Sequence, residues 1–230
     1  MIRFHPTNQT LISFAEGLIA PNESLIISAH CDLCVCCQSK VDSMIDSAAE
    51  NVFDVETITP TTIDNELGNM FDAITSRPSS TLTSSSPPEL LATLELNGME
   101  FSIPNSLQRL CAHAGNWTQI VGHLWQAPVA IGGKNIANFI YMEKGGSVPE
   151  HTHIGHEHTL VLDGHFSDGI NEYDTGDFIS LNESNKHAPF TENDDGCLVF
   201  SVIDEPLHFT SGWAKIINPL SHLYFKVSTK

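Results

Sequence analysis

The apolar positions between Asn8 and about Met44 recur at the spacing of an α-helix and form two stripes. The stripes consist of Leu11, Phe14 and Leu18, and then of Leu25, Ala29 and Leu33. Pro21 separates the two stripes, and Asn22 after it is a residue type that favours the N-cap of a helix. The pattern therefore predicts two helices joined by a short turn, with Asn22 capping the second.

A third apolar stripe predicts another helix between about Thr61 and Ile74. Its members are Ile63, Leu67, Met70, Phe71 and Ile74. The stretch that follows, Thr75 to Pro88, consists mainly of Ser, Thr and Pro and cannot bury enough apolar surface to offset the entropy lost on ordering. We therefore predict a helical domain over residues 1–76 and a linker over residues 77–89. A long surface loop inside a single domain is the alternative interpretation of the polar stretch.

Beyond the predicted linker the pattern changes to short segments that alternate or are rich in β-branched residues, with Gly, Asn and Asp between them. These segments are Leu94 to Phe101, Ile136 to Met142, His158 to Leu162, Phe178 to Leu181, and Leu198 to Ile203. Hardly any helical stripe interrupts them. The second half of the chain, residues 90–230, is therefore predicted to be an all-β sandwich or barrel.

The charge of the chain narrows the choice of partner. Ten Lys and Arg residues against 28 Asp and Glu residues give a formal net charge of −18. Such a surface repels phosphate backbones and anionic lipid headgroups, so we expect no direct binding to nucleic acid or membranes. A basic protein partner would suit it, and the alternative interpretation is that the acidity serves solubility alone. The sequence has neither a signal-peptide pattern nor the roughly 18 apolar residues of a membrane helix, and we expect a cytoplasmic protein.

Four of the six cysteines lie close together behind a histidine. His30, Cys34 and Cys37 fall at positions i, i+4 and i+7, which at about 100° per residue places them on one face of the second helix. Thiolate and imidazole are ligands that zinc prefers, and its tetrahedral coordination needs a fourth ligand. His5, just before the first helix, is the nearest candidate. The sequence therefore predicts a zinc site in the helical domain.

The two other clustered cysteines fit this site less well. Cys31 and Cys36 lie about 100° and 240° around the helix from His30, which makes them poor ligands if the helix is regular. They could still be redox-active neighbours of the metal. Alternatives for the whole cluster are small buried apolar side chains or a thioredoxin-like pair, although no strand precedes the cluster as the second of these requires.

A second group of candidate ligands lies in the predicted barrel. His151 and His153 point to the same face of a strand, Glu157 can return toward the same ion, and His187 from a later segment completes the set. Three imidazoles and one carboxylate suit zinc, iron, manganese or nickel. The remaining histidines of this region, His156, His158 and His165, are weaker candidates that we expect outside direct contact with the metal.

The glycines around these ligands carry a resemblance to a known fold. The spacing Gly145, His151, His153, Glu157, Gly164 resembles the first cupin motif. Gly176 to His187 is similar to the second, with Asn182 and Ser184 where proline and glycine are usual. A cupin behind a helical His-x3-Cys-x2-Cys zinc domain, with an early histidine and a polar linker, resembles the ChrR-type zinc-binding anti-sigma factors over nearly the whole chain.

The resemblance implies a two-domain chain, an all-α zinc domain followed by an all-β cupin. It implies a regulatory binding protein without catalytic residues, whose helices sequester an extracytoplasmic-function sigma factor and release it on photooxidative or oxidative stress. The family's zinc ligands correspond to His5, His30, Cys34 and Cys37 here. Its second metal site, for zinc or another divalent transition metal, corresponds to His151, His153, Glu157 and His187.

Three other functions compete with this one. A metal-dependent cupin enzyme, a dioxygenase or an isomerase, could use the three histidines and the glutamate, but it has no need of a helical zinc module. A metal or redox storage protein would bind many weakly held ions and not two tightly held ones. A zinc regulator that binds DNA directly conflicts with the net charge of −18 and with the lack of a basic helix.

Overall fold

The computed structural model describes residues 1–53, 65–77, 93–133 and 135–210. The described helices are α1 (Asn8–Ala15), α2 (Pro21–Leu33), α3 (Val35–Phe53), α4 (Asn65–Thr75) and α5 (Asn105–Cys111). The strands are β1 (Thr93–Leu96), β2 (Met99–Ser102), β3 (Thr118–Val121), β4 (Leu124–Val129), β5 (Ile136–Met142), β6 (His151–His153), β7 (Glu157–Ser167), β8 (Glu172–Asp174), β9 (Phe178–Leu181), β10 (Lys186–His187), β11 (Cys197–Ile203) and β12 (Leu207–Phe209).

The first two helices lie where the apolar stripes predict them, but their ends differ from the prediction. Helix α1 ends at Ala15 because Gly17 takes a positive φ of 70°, so Leu18 lies outside the helix and is 75% exposed. Helix α2 begins at Pro21, whose missing N–H would have had no partner in the first turn. The predicted N-cap at Asn22 is therefore wrong, because the cap position is Ala20.

Helix α3 is a separate helix that the sequence pattern did not distinguish from α2. Cys34 interrupts the helical path with an extended backbone, φ −113° and ψ 93°, and α3 begins at the next residue. The predicted helix near Thr61 to Ile74 is present as α4, although residues 54–64 lie outside the described part of the chain. The predicted linker lies outside it too from residue 78 on, so the domain boundaries at 76 and 90 stay predictions.

The described chain divides into two compact units. The first combines Met1–Met44 with the strand-rich part of the chain, and the second comprises the described residues between Ile45 and Leu90. In the second unit, α4 carries an apolar stripe whose four members are each more than half exposed, namely Leu67, Met70, Phe71 and Ile74. No helix in the described ranges combines the length and the apolar character that a membrane span requires.

The strand-rich part forms three sheets. The largest has seven strands in the order β3-β4-β5-β11-β7-β8, with β9 paired to β7, and a second sheet has the order β10-β6-β12. Strands β5 and β9 have the predicted bounds, whereas β7 extends beyond the predicted segment to Ser167. The predicted segment from Leu94 to Phe101 is the β1-β2 hairpin, because Asn97 and Gly98 both take positive φ and form a two-residue turn.

Helix α5 is an exception to the all-β prediction for the second half. Its seven residues are too short to give a recognisable helical stripe. Leu107 is nevertheless fully buried, and the side chain of Asp32 in α2 accepts a hydrogen bond from the backbone N–H of Ser106 at 2.7 Å. Contacts with α2 therefore stabilise this helix, which has no apolar stripe of its own.

The large sheet is covered by helix α2 on one side and encloses a second apolar cluster on the other. Ile26 and Ile27 of α2 are fully buried in the same cluster as Phe139 of β5 and Phe200 of β11. Alternate residues of the same strands, among them Met142 and Val199, belong to the second cluster. Strands buried on both faces read as continuous apolar runs, which explains why β5 and β11 were recognised in the sequence.

We expect Phe200→Ala to lower the free energy of unfolding by about 3–5 kcal/mol, because this fully buried ring packs against Phe139 with 5.1 Å between the ring centroids. Ile170→Ala is the control, since that side chain is 78% exposed and its loss should change stability by less than about 0.5 kcal/mol. Denaturant titration measures both values, and equal effects of the two substitutions would contradict the placement of the core.

Candidate metal centres

The structure brings together the four ligands predicted for the helical site. His5 belongs to the segment before α1, His30 to the last turn of α2, Cys34 to the break after it, and Cys37 to the first turn of α3. One ligand atom of each residue lies within 4.8 Å of the others. His30, Cys34 and Cys37 are buried, whereas His5 is exposed. We refer to these residues as the His/Cys group.

The predicted placement of His30, Cys34 and Cys37 on one face of a single helix is wrong. Cys34 breaks the helical path, so His30 and Cys37 belong to two successive helices. The break is compatible with continued hydrogen bonding, since the Cys34 N–H donates to the His30 carbonyl at 2.8 Å and its own carbonyl accepts from the Gln38 N–H at 3.0 Å. Neither Gly nor Pro marks this position, and the sequence therefore gave no signal for it.

The distances within the His/Cys group fit a tetrahedral zinc ion. The Nδ1 atom of His5 lies 3.5 Å from Sγ of Cys34 and 3.4 Å from Sγ of Cys37. With Zn–N of about 2.0 Å and Zn–S of about 2.3 Å, nitrogen and sulfur ligands of a tetrahedral ion are about 3.5 Å apart. Nε2 of His30 is buried and has no hydrogen-bond partner, as expected of an atom whose partner is a metal.

The barrel sets the orientation of the His30 ring. The Nδ1–H of His30 donates to the backbone carbonyl of Gly176 at 2.9 Å, which leaves the lone pair on Nε2 free for a metal. Burial lowers the pKa of His30 to about 4, so the ring is neutral. Burial and the neighbouring Cys34 raise the pKa of Cys37 to about 12, and a thiolate at this position needs a nearby cation to stabilise it.

Asp177 fastens the N-terminal segment that carries His5 to the barrel. Its Oδ1 accepts hydrogen bonds from the backbone N–H groups of Arg3 at 2.6 Å and Phe4 at 3.0 Å. The Phe178 N–H, at the start of β9, donates in turn to the Phe4 carbonyl at 2.9 Å. Asp177 is fully buried, whereas Arg3 is exposed and Phe4 half-buried, so these bonds tie a segment at the surface to a buried carboxylate. The segment from Gly176 to Phe178 therefore contacts the ring of His30 and also the backbone that precedes His5.

Gly176 is required at its position by backbone geometry and by space. It takes a φ of +93°, and a Cβ atom there would lie 2.5 Å from Cδ1 of Ile2. In the sequence, Gly176 and its neighbour Asp177 are recognisable only as parts of a cupin-like motif. Their contacts with the helical ligands were missed, because nothing in linear spacing relates residues 176–178 to residues 3–5 and 30.

The remaining clustered cysteines stay outside the group that the described residues form. Cys31 belongs to α2 and is half-buried against the core, and burial raises its pKa to about 11, so it is a thiol at neutral pH. Cys36 is exposed on α3. Neither side chain takes a position that would replace Cys34 or Cys37.

The barrel ligands also converge on one point. Nε2 of His187 lies 2.9 Å from Nε2 of His151 and 3.2 Å from Nε2 of His153, and one ligand atom of each of these residues and of Glu157 lies within 4.8 Å of the others. Two nitrogen ligands about 2.1 Å from one ion are about 3.0 Å apart at a right angle and about 3.4 Å apart in a tetrahedron. The spacing therefore fits a metal ion. We refer to these residues as the His/Glu group.

Antiparallel pairing explains how the barrel assembles this group. His151 and His153 are alternate residues of β6, so their side chains share a face, and β10 pairs with β6 so that His187 stands opposite His151. The backbone carbonyl of Pro149 accepts a hydrogen bond from Nδ1 of His151 at 2.9 Å, which directs Nε2 inward. Burial lowers the pKa of His153, and it lowers that of His187 to about 4, so both rings are neutral.

Glu157 is held in its charged form. Burial opposes its ionisation, but attraction to the three nearby histidines in their protonated form and the hydrogen bond from the Thr159 hydroxyl outweigh this effect and keep the pKa of Glu157 below its usual value. Oε1 accepts hydrogen bonds from the hydroxyls of Thr159 at 2.8 Å and Ser201 at 2.9 Å. Oε2 is buried without a hydrogen-bond donor, which leaves it as the oxygen available to a cation.

The three weaker histidine candidates lie outside the His/Glu group, as expected. His156 faces Asp204, with 3.4 Å between Nδ1 and Oδ2, and His165 is exposed on β7. The ring of His158 stacks on Phe178, with 5.7 Å between the ring centroids. Phe178 also packs against the ring of His30, with 6.0 Å between the ring centroids. One aromatic side chain therefore lies against His30 of the His/Cys group and against His158, the residue that follows Glu157.

The fold and its two ligand groups define a class of protein, a cupin-like barrel preceded by helices that carry a His/Cys group. Residues 112–205 match the family described as the ChrR Cupin-like domain. The chain is 26% identical over 227 residues to the anti-sigma-E factor ChrR of Cereibacter sphaeroides, a match that covers 95% of this chain and 97% of that protein.

A solved structure resembles the whole architecture. The crystal structure of Rhodobacter sphaeroides SigE in complex with the anti-sigma ChrR contains a chain that matches with a TM-score of 0.66 and 21% identity, covering 89% of this chain and all of that one. These matches confirm the predicted fold class and the resemblance of this chain to the ChrR-type proteins.

Substitution of single ligands tests each metal group separately. After reconstitution with zinc, we expect two ions per wild-type chain and one per chain in Cys37→Ser or His187→Ala, because each removes a ligand from one group only. Cys36→Ser and His165→Ala are the matched controls and should keep both ions, since these exposed residues lie outside the groups. Metal analysis by mass spectrometry gives the counts, and an unchanged count in Cys37→Ser would contradict the first assignment.

Asp177→Ala tests the connection between the barrel and the helical ligands. Loss of the carboxylate leaves the N–H groups of Arg3 and Phe4 without the acceptor that the buried Asp177 provides, and we expect the free energy of unfolding to fall by about 1–3 kcal/mol. The zinc affinity of the His/Cys group should fall about 10–100-fold, because His5 loses its support. Competition with a chromophoric chelator measures that affinity.

The control for this experiment is Asp174→Ala. Asp174 forms an exposed ion pair with the Arg3 side chain at 3.2 Å, and such pairs contribute at most about 1 kcal/mol. Zinc affinity in the control should stay at the wild-type value. If Asp177→Ala also retained wild-type zinc affinity, His5 would not depend on the barrel.

Proposed function

We propose that this chain is a zinc-dependent anti-sigma factor that sequesters an extracytoplasmic-function sigma factor and releases it on photooxidative or oxidative stress. The observation that carries the proposal is the match to the anti-sigma-E factor ChrR, which spans 95% of this chain and so includes both the helices and the barrel. The protein would act in the cytoplasm, where RNA polymerase and its sigma factors are found.

The donor sets favour zinc in the helices. Two thiols and two imidazoles are a common ligand set of structural zinc, and a closed set of four protein ligands leaves no position for a substrate. In the barrel, three imidazoles and one carboxylate suit zinc or another divalent transition metal. The helical ion would hold α2, α3 and the N-terminal segment together, and the binding surface of the helices would depend on it.

Helix α4 offers an apolar surface for a protein partner. Leu67, Met70, Phe71 and Ile74 recur at i, i+3, i+4 and i+7, and each is more than half exposed. An amphipathic helix of this kind typically places its apolar face in a groove of another protein. The formal net charge of −18 complements a sigma factor, whose promoter-binding surfaces are basic.

Two features favour a regulatory role over catalysis: the match to an anti-sigma factor and the presence of helices that a cupin enzyme does not need. An enzyme of the cupin class needs only the barrel, whereas the match to the anti-sigma factor includes the helices with their His/Cys group. Fold alone does not decide between the two, because cupin barrels support many functions. Sigma-factor binding in the absence of any added small substrate is the property that separates them.

Release of the partner requires a path from the barrel to the helices, and β9 supplies one. Along the β7-β9 pair, Leu181 stands opposite the ligand Glu157, and Phe178 at the other end of β9 packs against His30. We propose that a chemical change at the His/Glu group displaces β9 and thereby the Gly176–Phe178 segment that orients His30. The helical surface would then lose its zinc-stabilised form.

Co-expression of the full chain with each extracytoplasmic-function sigma factor of the same genome tests the function. We expect one sigma factor to co-purify with wild-type and Cys36→Ser chains, and to be lost with Cys37→Ser or after zinc chelation, because the helical surface needs its metal. The full chain is required, since residues 1–44 pack with the barrel in one unit. Failure of every sigma factor to bind the zinc-loaded chain would contradict the proposal.

The same assay locates the binding surface. Phe71→Asp puts a charge into the exposed stripe of α4 and should weaken the complex at least about 10-fold, as loss of an interface aromatic does. Asn69→Asp adds the same charge to an exposed position of α4 outside the stripe and should leave binding near the wild-type value. Equal affinities of the two variants would exclude α4 from the interface.

A further inference from the structure

The barrel encloses a cavity of about 550 Å³ next to the His/Glu group. Its wall is mainly aliphatic and aromatic, with Ile140 and Met142 from β5, Val199 from β11, Phe166 from β7 and Ile179 from β9 among the lining residues. Cavities of about 300–1,000 Å³ with apolar walls and a few polar groups are typical of small-molecule sites. Nothing in the proposed sigma-factor binding uses this space.

The polar side chains of the wall are largely engaged with one another. The hydroxyls of Thr159 and Ser201 donate to Glu157, and the carbonyl oxygen of the Asn138 amide accepts from Gln126 at 2.6 Å. The described residues that line the cavity include no Lys, Arg or Asp. Recognition of a polar ligand group would therefore fall to the His/Glu group, whose members His151, Glu157 and His187 form part of the wall.

The charge of the loaded His/Glu group selects the ligand. A divalent metal ion with three neutral imidazoles and one carboxylate has a net charge of +1, and the lining supplies no further charge to balance it. One anionic oxygen donor would neutralise the site, whereas a second would have to be buried against the apolar wall at a large cost. The site therefore fits a molecule with a single anionic end and an apolar body.

We infer that the barrel binds an aliphatic monocarboxylate, with the carboxylate at the His/Glu group and the hydrocarbon chain in the cavity. The inference rests on the part of the proposed function that assigns a divalent metal to the barrel. It is independent of the sigma factor, because the cavity lies among the strands and shares no residue with α4.

The chain length of the ligand tests the role of the cavity. Titration calorimetry of the zinc-loaded full chain with hexanoate, octanoate and decanoate should show one site, with affinity rising up to about fourfold for each added methylene group that enters the cavity. Decanedioate is the matched ligand control, and its second carboxylate should lower the affinity at least about 10-fold relative to decanoate. Affinity that does not depend on chain length would overturn the inference.

Two variants locate the site on the protein. Ile140→Trp fills the cavity from β5 without altering a ligand of the His/Glu group, and it should abolish decanoate binding while both metal ions remain. Val199→Phe is a smaller change in the same cavity and should weaken decanoate binding. It serves as the test variant if Ile140→Trp disturbs the fold. Ile170→Trp, on an exposed loop residue, is the control and should bind decanoate as the wild type does.

Metal analysis of the same samples separates the possible failures. A wild-type chain that holds two ions but does not bind decanoate would overturn this inference and leave the proposed function intact. A chain that holds no ion in the barrel would overturn both the inference and the barrel part of the proposed function. Equal decanoate binding by wild type and Ile140→Trp would place the ligand elsewhere and also overturn the inference.

Discussion

The hydrogen bond from His30 to the carbonyl of Gly176 is the interaction on which the arrangement of the helices depends. It fixes the ring so that Nε2 faces the two cysteines, and the adjacent Asp177 holds the backbone of Arg3 and Phe4 in place next to His5. Groups that orient metal ligands in this way affect the metal almost as strongly as the ligands themselves. The His/Cys group is thus built on the barrel.

This connection gives the barrel a physical means of influencing the helices. Strand β9 begins with Phe178, next to His30, and ends with Leu181, opposite Glu157 of the second centre. Packed strands transmit displacement because interiors are dense and do not deform continuously. A displacement of the strands can therefore reach the His/Cys group directly, since Met1–Met44 packs with the strands as one unit.

The sequence predicted the ligand residues better than their geometry. Residue type and spacing were enough to select both groups, because few other roles place His, Cys and Glu at such intervals. The break at Cys34 was not predictable from local propensity, since no Gly or Pro marks it. Strands β5 and β11 were found because both faces are apolar, whereas the two-residue strand β10 depends on pairing with the distant β6. The contacts of Asp177 were missed for the same reason.

Hydrogen exchange at the Asp174–Phe178 segment tests most directly whether the helical metal centre is built on the barrel. Zinc-loaded wild type and zinc-loaded Cys37→Ser are compared. Mass spectrometry measures the deuterium uptake of peptides from this segment and from the N-terminus. The account predicts faster exchange in Cys37→Ser at the N–H groups of Phe4 and Phe178, because loss of the helical ion releases His5 and His30. Unchanged exchange in both peptides would contradict it.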